Sequence, residues 1–187
     1  VAMAASSLAQ LKVGALIVFE KDIKLKEIID NGIRINADVS IQLLKNIFEK
    51  DTPLHDGAVI ISEGRVMSAC SILPLAVDNN INKAFGTRHR AALGISKNSD
   101  AIAVVVSEET GKISVAKNNI LKVDIKEEGL KKLLLKYLLD IEIDKDSKQN
   151  DNIILRKMKK VKEKFRKKEI KQGKIHNNKE EEINEGK

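Results

Sequence analysis

The chain is poor in several residue types that would point to particular classes of protein. Its 187 residues include no tryptophan, one cysteine and two prolines, and aromatic residues make up 3%. A single cysteine excludes an intrachain disulfide and fits a reducing compartment, with Cys70 expected as a buried, inert thiol. The longest apolar runs, residues 13–19 and 101–106, are far shorter than the ~20 residues that span a bilayer, and no signal-peptide pattern opens the chain. The chain by itself is therefore expected to be soluble.

Charge is distributed unevenly along the chain. Residues 1–144 carry 19 basic and 19 acidic side chains, so the net charge of +7 lies within residues 145–187, which carry 15 basic and 8 acidic ones. A neutral domain has no general positive field, so it must bind a polyanionic substrate through a few aimed cations and a metal ion. The sequence predicts a helical lead-in over residues 1–13, one folded domain over 14–144 and a charged tail over 145–187.

Hydrophobic patterning predicts the order of the elements in the folded domain. The apolar runs 14–20 and 101–106 are typical of strands covered on both faces. Hairpins are expected over 57–73, around a Ser-Glu-Gly turn, and over 113–125, around an Asn-Asn turn. Helices are expected over 25–30, 40–48, 87–95 and 126–139, with Ser40 or Asp38 capping the second and Thr87 the third. The predicted class is α/β, with a mixed central β-sheet flanked by helices on both faces.

The tail contains one amphipathic pattern. Ile154, Met158, Val161 and Phe165 recur at helical spacing among lysines and arginines, which predicts a short basic helix. A segment that docks on the domain or on a partner helix, or that frays in solution, is the favoured interpretation, and attraction to anionic lipid is an alternative. Nucleic-acid binding is the least favoured, because Phe165 is the only aromatic residue among the lysines. Beyond residue 173 the composition is typical of disorder.

Three short strings carry most of the chemistry. Residues 54–58 read Leu-His-Asp-Gly-Ala, residues 86–90 read Gly-Thr-Arg-His-Arg, and residues 107–111 read Ser-Glu-Glu-Thr-Gly. In the first, an imidazole and a carboxylate precede a glycine that lets a ligand approach the backbone, which suits a metal ion and a hydroxyl to be activated. In the second, two guanidiniums match phosphate oxygens in pairs, and a helix that begins at Thr87 would direct N–H groups at phosphate. The third offers a hydroxyl and two carboxylates as acceptors for ribose and metal.

Each string also has an ordinary explanation. Asp56 before Gly57 could be a turn residue, the histidines could be satisfied side chains, and the arginines could lie on a solvated helix face. The third string is the weakest, because Glu-Thr-Gly-Lys is also a common hairpin turn. Their occurrence together, in this order and within some fifty residues, favours a nucleotide site.

In wording and order, Thr-Pro-Leu-His-Asp-Gly-Ala followed by Gly-Thr-Arg-His-Arg-Ala-Ala, the strings resemble the diadenylate cyclase domain. That family condenses two ATP into the second messenger cyclic di-AMP. The resemblance covers residues 14–140 and is closest to the membrane-associated cyclases of Gram-positive-type bacteria. It implies that the full-length protein lies at the cytoplasmic side of the cell membrane, held by an anchor upstream of this chain. It also implies regulatory protein partners and a face-to-face homodimer that holds one ATP in each half. It also implies a divalent metal ion, Mn²⁺ or Mg²⁺, with Co²⁺ as a further option.

The resemblance also implies a role for each matching residue. Asp56 would polarise or deprotonate the 3′-hydroxyl, with Gly57 and Ala58 against the sugar. The triphosphate would be bound by Gly86, Thr87, Arg88, His89 and Arg90, and the phosphate and ribose by Ser107 and Glu108. His55 and Glu109 would bind the metal, and Leu73 would line the adenine pocket, next to Ile72 where some relatives have a stacking aromatic. Two alternatives stay open at this point: a catalytically silent nucleotide-binding regulatory module, and an interaction protein that acts through its tail.

Overall fold

The structure is a computed structural model that describes residues 1–76 and 85–139. Residues 1–138 form one compact unit. Residues 139–187 form a second unit that lies outside the described residues apart from Leu139, so the predicted tail helix lies outside them as well. In the described part of the chain, no helix is both long and apolar enough to cross a membrane.

A seven-stranded mixed sheet organises the domain in the order β2-β4-β3-β1-β5-β6-β7. The central strands are β1 (Ala15–Phe19) and β5 (Ile102–Val106), and every residue of both is buried, which confirms the prediction made from their apolar runs. β1 pairs with β3 (Ala58–Ser62) in parallel and with β5 in antiparallel orientation. The sheet is therefore mixed, as predicted.

Helices cover both faces of this sheet. On one face of the sheet, every second side chain of β1 and β5 packs against α1 (Ala2–Gln10), α3 (Ile41–Ile47) and α5 (Glu127–Leu139). On the opposite face, the remaining side chains of β1 and β5 pack against α2 (Lys26–Asp30) and α4 (Thr87–Asn98). The period-2 alternation of strand side chains thus gives the domain two apolar layers, one on each side of the sheet.

Both predicted hairpins are confirmed. β3 turns into β4 (Arg65–Ser71) through Glu63 and Gly64, and β6 (Ile113–Lys117) turns into β7 (Ile120–Lys122) through Asn118 and Asn119. Both residues of each turn have positive φ, between 50° and 80°, which is the geometry that two-residue hairpin loops prefer. β7 ends earlier than predicted, at Lys122.

Two predictions about caps have different outcomes. The Oγ of Ser40 accepts a hydrogen bond from the Leu43 N–H at 3.0 Å, so Ser40 caps α3 as expected. The expectation that Thr87 caps α4 is wrong, because Gly86 is the N-cap residue, no side chain caps the helix, and Thr87 is its first helical residue. The first N–H groups of α4 therefore have no side-chain cap.

The strand β2 (Ile33–Asp38) was not predicted. It is an edge strand with mostly exposed residues and a register shift between Arg34 and Ala37, where Asn36 has a positive φ of 50°. Its Arg-Ile-Asn-Ala-Asp composition has low β-propensity, and only its pairing with β4 makes it a strand.

Candidate functional site

The sheet topology brings the three strings to one edge of the sheet. β3 runs parallel to β1, whereas β4 and β5 run antiparallel to their neighbours, so the starts of β1 and β3 lie beside the ends of β4 and β5. The first string immediately precedes β3, the third immediately follows β5, and α4, which leads into β5, begins at the second string. We call this side of the sheet the motif edge.

A cleft of about 420 Å³ opens at the motif edge, a volume within the usual range of small-molecule sites. Its walls come from the starts of β1, β3 and α4 and from the end of β4 with the chain that follows it. The lining residues are Leu16, Asp56, Gly57, Cys70, Ser71, Ile72, Leu73, Leu75, Thr87, Arg88 and Ala91. Asp56, Gly57, Leu73, Thr87 and Arg88 were predicted as site residues. Of the others, Ala91 lies on α4 directly after the second string, and the rest lie on β1, on β4 or in the chain after β4, outside the three strings.

Asp56 and Gly57 form one rim of the cleft. Asp56 is exposed, and its Oδ1 accepts a hydrogen bond from the Gly57 N–H at 3.0 Å. Gly57 has a φ of +86°, and a Cβ there would lie 2.8 Å from the carbonyl carbon of Cys70. Both the backbone angle and the space therefore require glycine, because Gly57 lies directly against the β4 backbone.

Cys70 departs from the sequence expectation. It is half-buried rather than buried, lines the cleft, and has a φ of 55°. Burial, followed by the negative charge of Asp56, raises the pKa of its thiol, so the thiol stays protonated at neutral pH. The expectation of a buried thiol is therefore wrong, and its inertness stays a prediction that the raised pKa favours.

The imidazole of His55 is held in one tautomer. Its Nδ1 lies 2.6 Å from the carbonyl oxygen of Thr52, and because a carbonyl only accepts, Nδ1 carries the proton. Nε2 is then the basic nitrogen, the arrangement found in metal-binding histidines whose other nitrogen is bound by the protein. The described residues include no group of three or more His, Cys, Asp or Glu side chains that could hold a metal ion.

Arg88 supplies a positive charge to the lining of the cleft, and its side chain is largely buried. Its side chain is 19% exposed, its Nη1 donates to the Glu108 Oε2 at 2.7 Å, and its buried Nε has no hydrogen-bond partner within the part of the chain that the structure describes. A Cβ at Gly14 would lie 2.6 Å from Nη1 and 2.8 Å from the Glu108 Oε2. The absence of a side chain at Gly14, just before β1, therefore makes room for the Arg88–Glu108 pair.

His89, the next residue of α4, is buried. It is 8% exposed, stacks on Phe85 with 5.1 Å between ring centroids, and places Nε2 3.4 Å from the Ser114 Oγ. Burial lowers the pKa of His89, and the charge of Glu109 opposes this only in part. The imidazole is therefore neutral at pH 7 and adds no positive charge to the site.

A second, smaller cavity of about 40 Å³ adjoins the first, and Thr87 and Arg88 line both. It collects most of the second and third strings: its other lining residues are Gly86, His89, Val106, Ser107, Glu108 and Glu109. Arg90 is not among the residues that line the two cavities. It is half-buried, and its carbonyl accepts a hydrogen bond from the Ala76 N–H at 3.0 Å.

The third string is the turn between β5 and β6. The Ser107 Oγ accepts from the Thr110 N–H at 3.2 Å, and its carbonyl accepts from the Gly111 N–H at 2.9 Å. The hairpin-turn interpretation is therefore right about the local structure. The same turn also places Ser107 and Glu108 beside Arg88. The third string therefore forms a turn and also contributes side chains to the candidate site.

Comparison with known proteins identifies the family. The model of the DisA bacterial checkpoint controller nucleotide-binding family, abbreviated DAC, matches residues 2–121. The chain belongs to this family, and the resemblance based on the three strings is confirmed. The match begins at α1 and ends at β7, so it includes the lead-in that the sequence alone had kept apart from the domain.

Individual relatives agree with this assignment. The chain is 50% identical over 140 residues to a diadenylate cyclase of Listeria monocytogenes, covering 75% of this chain and 51% of the relative. It is 48% identical over 127 residues to the cyclic di-AMP synthase CdaA of Bacillus subtilis, covering 68% of this chain and 46% of the relative. The chain thus spans about half the length of these curated relatives.

Solved structures support the fold. A crystal structure of a double mutant of DacA from Staphylococcus aureus matches with a TM-score of 0.72 and 45% identity, over 73% of this chain and 91% of that chain. A Bacillus cereus protein described as a hypothetical membrane-spanning protein matches with a TM-score of 0.63 and 45% identity, over 65% of this chain and 60% of that chain. The mixed seven-stranded α/β fold is therefore that of the DacA structure.

Proposed function

We propose that this chain is a diadenylate cyclase, which condenses two ATP into cyclic di-AMP and releases two diphosphates. The observation that carries the proposal is the convergence of an exposed carboxylate, a partly unsatisfied arginine and an apolar wall in one cleft at the motif edge. These groups match the three parts of ATP: a ribose hydroxyl to be activated, a triphosphate and a purine. The names of the relatives from Listeria and Bacillus support the same activity.

The product explains why one chain supplies half of the active site. Cyclic di-AMP is two-fold symmetric, so the economical catalyst is a pair of chains face to face, each holding one ATP. The 3′-hydroxyl of each ATP attacks the α-phosphorus of the other, the α–β phosphoanhydride bond breaks, and diphosphate leaves. Asp56 is exposed at the rim of the cleft, where its carboxylate can meet a nucleotide held by a second copy.

Within each half, the protein positions the ligand and stabilises charge, which are the dominant contributions to phosphoryl-type transfer. Asp56 accepts the proton of the 3′-hydroxyl or polarises it, and Gly57 lies against the sugar. Ala58, predicted to touch the sugar as well, is 1% exposed and lines neither cavity, so it supports Gly57 from the core. Arg88 and the first N–H groups of α4, at Thr87, bind the triphosphate, with Gly86 as the turn before them and Ser107 beside them. His89, being neutral and buried, acts through its ring contacts in fixing the start of α4, and Arg90 acts through its backbone.

We infer that His55 and Glu109 would hold a divalent metal ion. His55 presents a basic Nε2 because its Nδ1–H is bound to Thr52, and Glu109 offers an exposed carboxylate. Phosphate oxygens complete such a site, and imidazole as a ligand favours Mn²⁺ or Co²⁺ over Mg²⁺. The ion, when bound, neutralises charge on the phosphates. A position at the cytoplasmic face of a membrane and control by regulatory proteins, both implied by the family resemblance, remain part of the proposal.

The decisive experiment is to incubate the chain with ATP and Mn²⁺ and to search for cyclic di-AMP and diphosphate by liquid chromatography with mass detection. We expect product from the wild-type chain, and we expect activity per chain to rise with enzyme concentration until the dimer is saturated. Asp56→Asn is the matched inactive control. A chain that binds ATP but yields no product at any enzyme concentration overturns the proposal and favours a catalytically silent nucleotide-binding module.

A further inference from the structure

One wall of the cleft is apolar and is formed by the segment that follows β4, which belongs to no strand. We call this segment the apolar wall. Residues 72–76 follow the end of β4 at Ser71, and the side chains of Ile72, Leu73 and Leu75 from this segment face the cleft. Ile72 is 72% exposed and Leu75 is 46% exposed, so neighbouring side chains do little to hold them in place. Leu73, the third of these side chains, is 7% exposed and packs in the apolar layer that α4 covers. The positions of the Ile72 and Leu75 side chains must therefore be set through the backbone.

Asn31 provides that backbone support from outside the cleft. Its Oδ1 accepts a hydrogen bond from the Ile72 N–H at 3.0 Å, and its Nδ2 donates to the Ile72 carbonyl at 3.3 Å. One carboxamide thus satisfies both polar groups of a single residue, as a paired strand would do. Asn31 is exposed, follows α2 as its C-cap residue, and does not line the cleft.

The neighbouring residue holds Asn31 against β4. A Cβ at Gly32 would overlap the Ser71 Oγ and would lie 2.7 Å from the Ala69 carbonyl oxygen, so only glycine allows this close approach. At the other end of the wall, the Ala76 N–H donates to the Arg90 carbonyl at 3.0 Å. A Cβ at Gly94 of α4 would overlap the Pro74 carbonyl oxygen. The wall is therefore fixed at two points, Asn31 at its start and α4 at its end.

We propose that Asn31 is a positioning residue for the nucleoside end of the cleft. By binding the Ile72 backbone, it sets the Ile72 side chain against the face of the adenine base. Aliphatic contacts depend on dispersion, which falls steeply when a gap of even half an ångström opens, so a small shift of the wall weakens base binding. The inference rests on the proposed function for the orientation of the nucleotide, and it names a residue that touches no part of the ligand.

The first test is Asn31→Ala, with Asn46→Ala as the matched control at an exposed helical asparagine. Calorimetric titration with AMP and with ATP should show about five- to tenfold weaker binding of both nucleotides, the effect expected from the loss of one to two hydrogen bonds. The KM for ATP should rise by a similar factor, while kcat changes by less than about threefold. Asn46→Ala should bind both nucleotides like the wild type. Unchanged affinity in Asn31→Ala, or a loss confined to ATP, overturns the inference.

A double-mutant cycle separates positioning from a general loss of stability. Ile72→Ala removes the side chain that Asn31 is proposed to place, so adding Asn31→Ala to it should weaken AMP binding by about twofold or less. If the two losses simply multiply, Asn31 does not act through Ile72 and the inference fails. The proposed function fails independently: a wild-type chain that binds AMP but makes no cyclic di-AMP refutes the reaction, while the cycle still reports on Asn31.

Discussion

A charged side chain lies near each end of strand β1, and the polar atoms of these two side chains are paired very differently. Glu20, directly after β1, is 4% exposed, and its carboxylate receives hydrogen bonds from the Lys24 Nζ, the Leu25 N–H and the Ser62 Oγ at 2.7–2.8 Å. Arg88, beside Gly14 at the other end, has Glu108 as an ion-pair partner and a buried Nε with no hydrogen bond to the described residues.

From this difference we infer that Glu20 stabilises the fold and that Arg88 binds a ligand. Buried polar groups are normally paired, so a fully paired carboxylate is typical of a structural role and a buried unpaired N–H calls for an explanation. Burial alone would push the pKa of Glu20 up, but its hydrogen bonds and the charge of Lys24 outweigh burial and lower it. The comparison predicts that substitutions at the motif edge change catalysis and binding, whereas substitutions at the Glu20 edge change stability.

The largest effect is expected from Asp56→Asn at the motif edge. Turnover should fall by about 10²–10⁴, the usual contribution of a positioned proton acceptor, with ATP binding and the thermal midpoint unchanged because the side chain is exposed. Product formation, calorimetry and thermal unfolding of the same preparation measure the three quantities. Weaker ATP binding with normal turnover would contradict the role of Asp56.

The next largest effect is expected from Arg88→Ala, with Arg90→Ala as its matched control. Loss of a charge-assisted contact costs about 1.5–3 kcal/mol, so ATP affinity should drop roughly ten- to a hundredfold, while AMP affinity falls far less. Arg90 lines neither cavity and bonds through its carbonyl, which alanine retains, so Arg90→Ala should change ATP affinity by less than about threefold. Equal losses for the two variants would move Arg90 into the triphosphate site.

Glu20→Gln tests the structural edge. A buried carboxylate that loses its charge leaves its donors poorly paired, which should lower the free energy of unfolding by about 1–3 kcal/mol without changing nucleotide affinity. Because the pKa of Glu20 is lowered in the folded protein, this stabilisation is present above the carboxyl's unfolded pKa and is lost as pH falls through its folded pKa.

Chemical unfolding of wild type and Glu20→Gln at pH 7 and at acidic pH measures that dependence, with exposed Glu128→Gln as the control. The difference between wild type and Glu20→Gln should shrink in acid, and Glu128→Gln should match the wild type at both pH values. A pH-independent difference would mean that the charge of Glu20 is not what stabilises this edge.

The smallest effect is expected from Gly14→Ala. The added Cβ would meet the ends of the Arg88 and Glu108 side chains rather than backbone, so the guanidinium should shift while the fold stays intact. ATP affinity should fall by roughly three- to tenfold, part of the worth of a charge-assisted contact, with little change for AMP. In the Arg88→Ala background the same substitution should cost nothing further, and a full additional loss there would show that Gly14 acts by another route.

Much of the fold could be predicted from local pattern. The apolar runs of β1 and β5, the Glu-Gly and Asn-Asn turns and the cap at Ser40 each express a preference of a few neighbouring residues, which tertiary packing leaves unopposed. β2 shows the limit of this reasoning, because a polar edge segment becomes a strand only when β4 lies beside it. The cap of α4 was misassigned because a threonine after glycine is suitable at either the N-cap or the first helical position.

For the candidate site, the sequence by itself determined the chemistry that is available: the carboxylate of Asp56, the guanidiniums of the second string and the acceptors of the third. The residues of these strings, in their order, also pointed to the family. Which of these groups share a cleft was decided by strand direction, because only the antiparallel placement of β4 and β5 brings their ends beside the starts of β1 and β3. The tertiary structure also decided that Arg88 lines the cleft and that its neighbour His89 does not: successive helical residues point about 100° apart, and the packing of α4 on the sheet determines which of them faces the cleft. Three further residues lie outside the three strings: Gly14, Cys70 and Asn31. Each lines the cleft or contacts a residue that lines it, and these contacts join segments far apart in the chain, which local sequence patterns do not show.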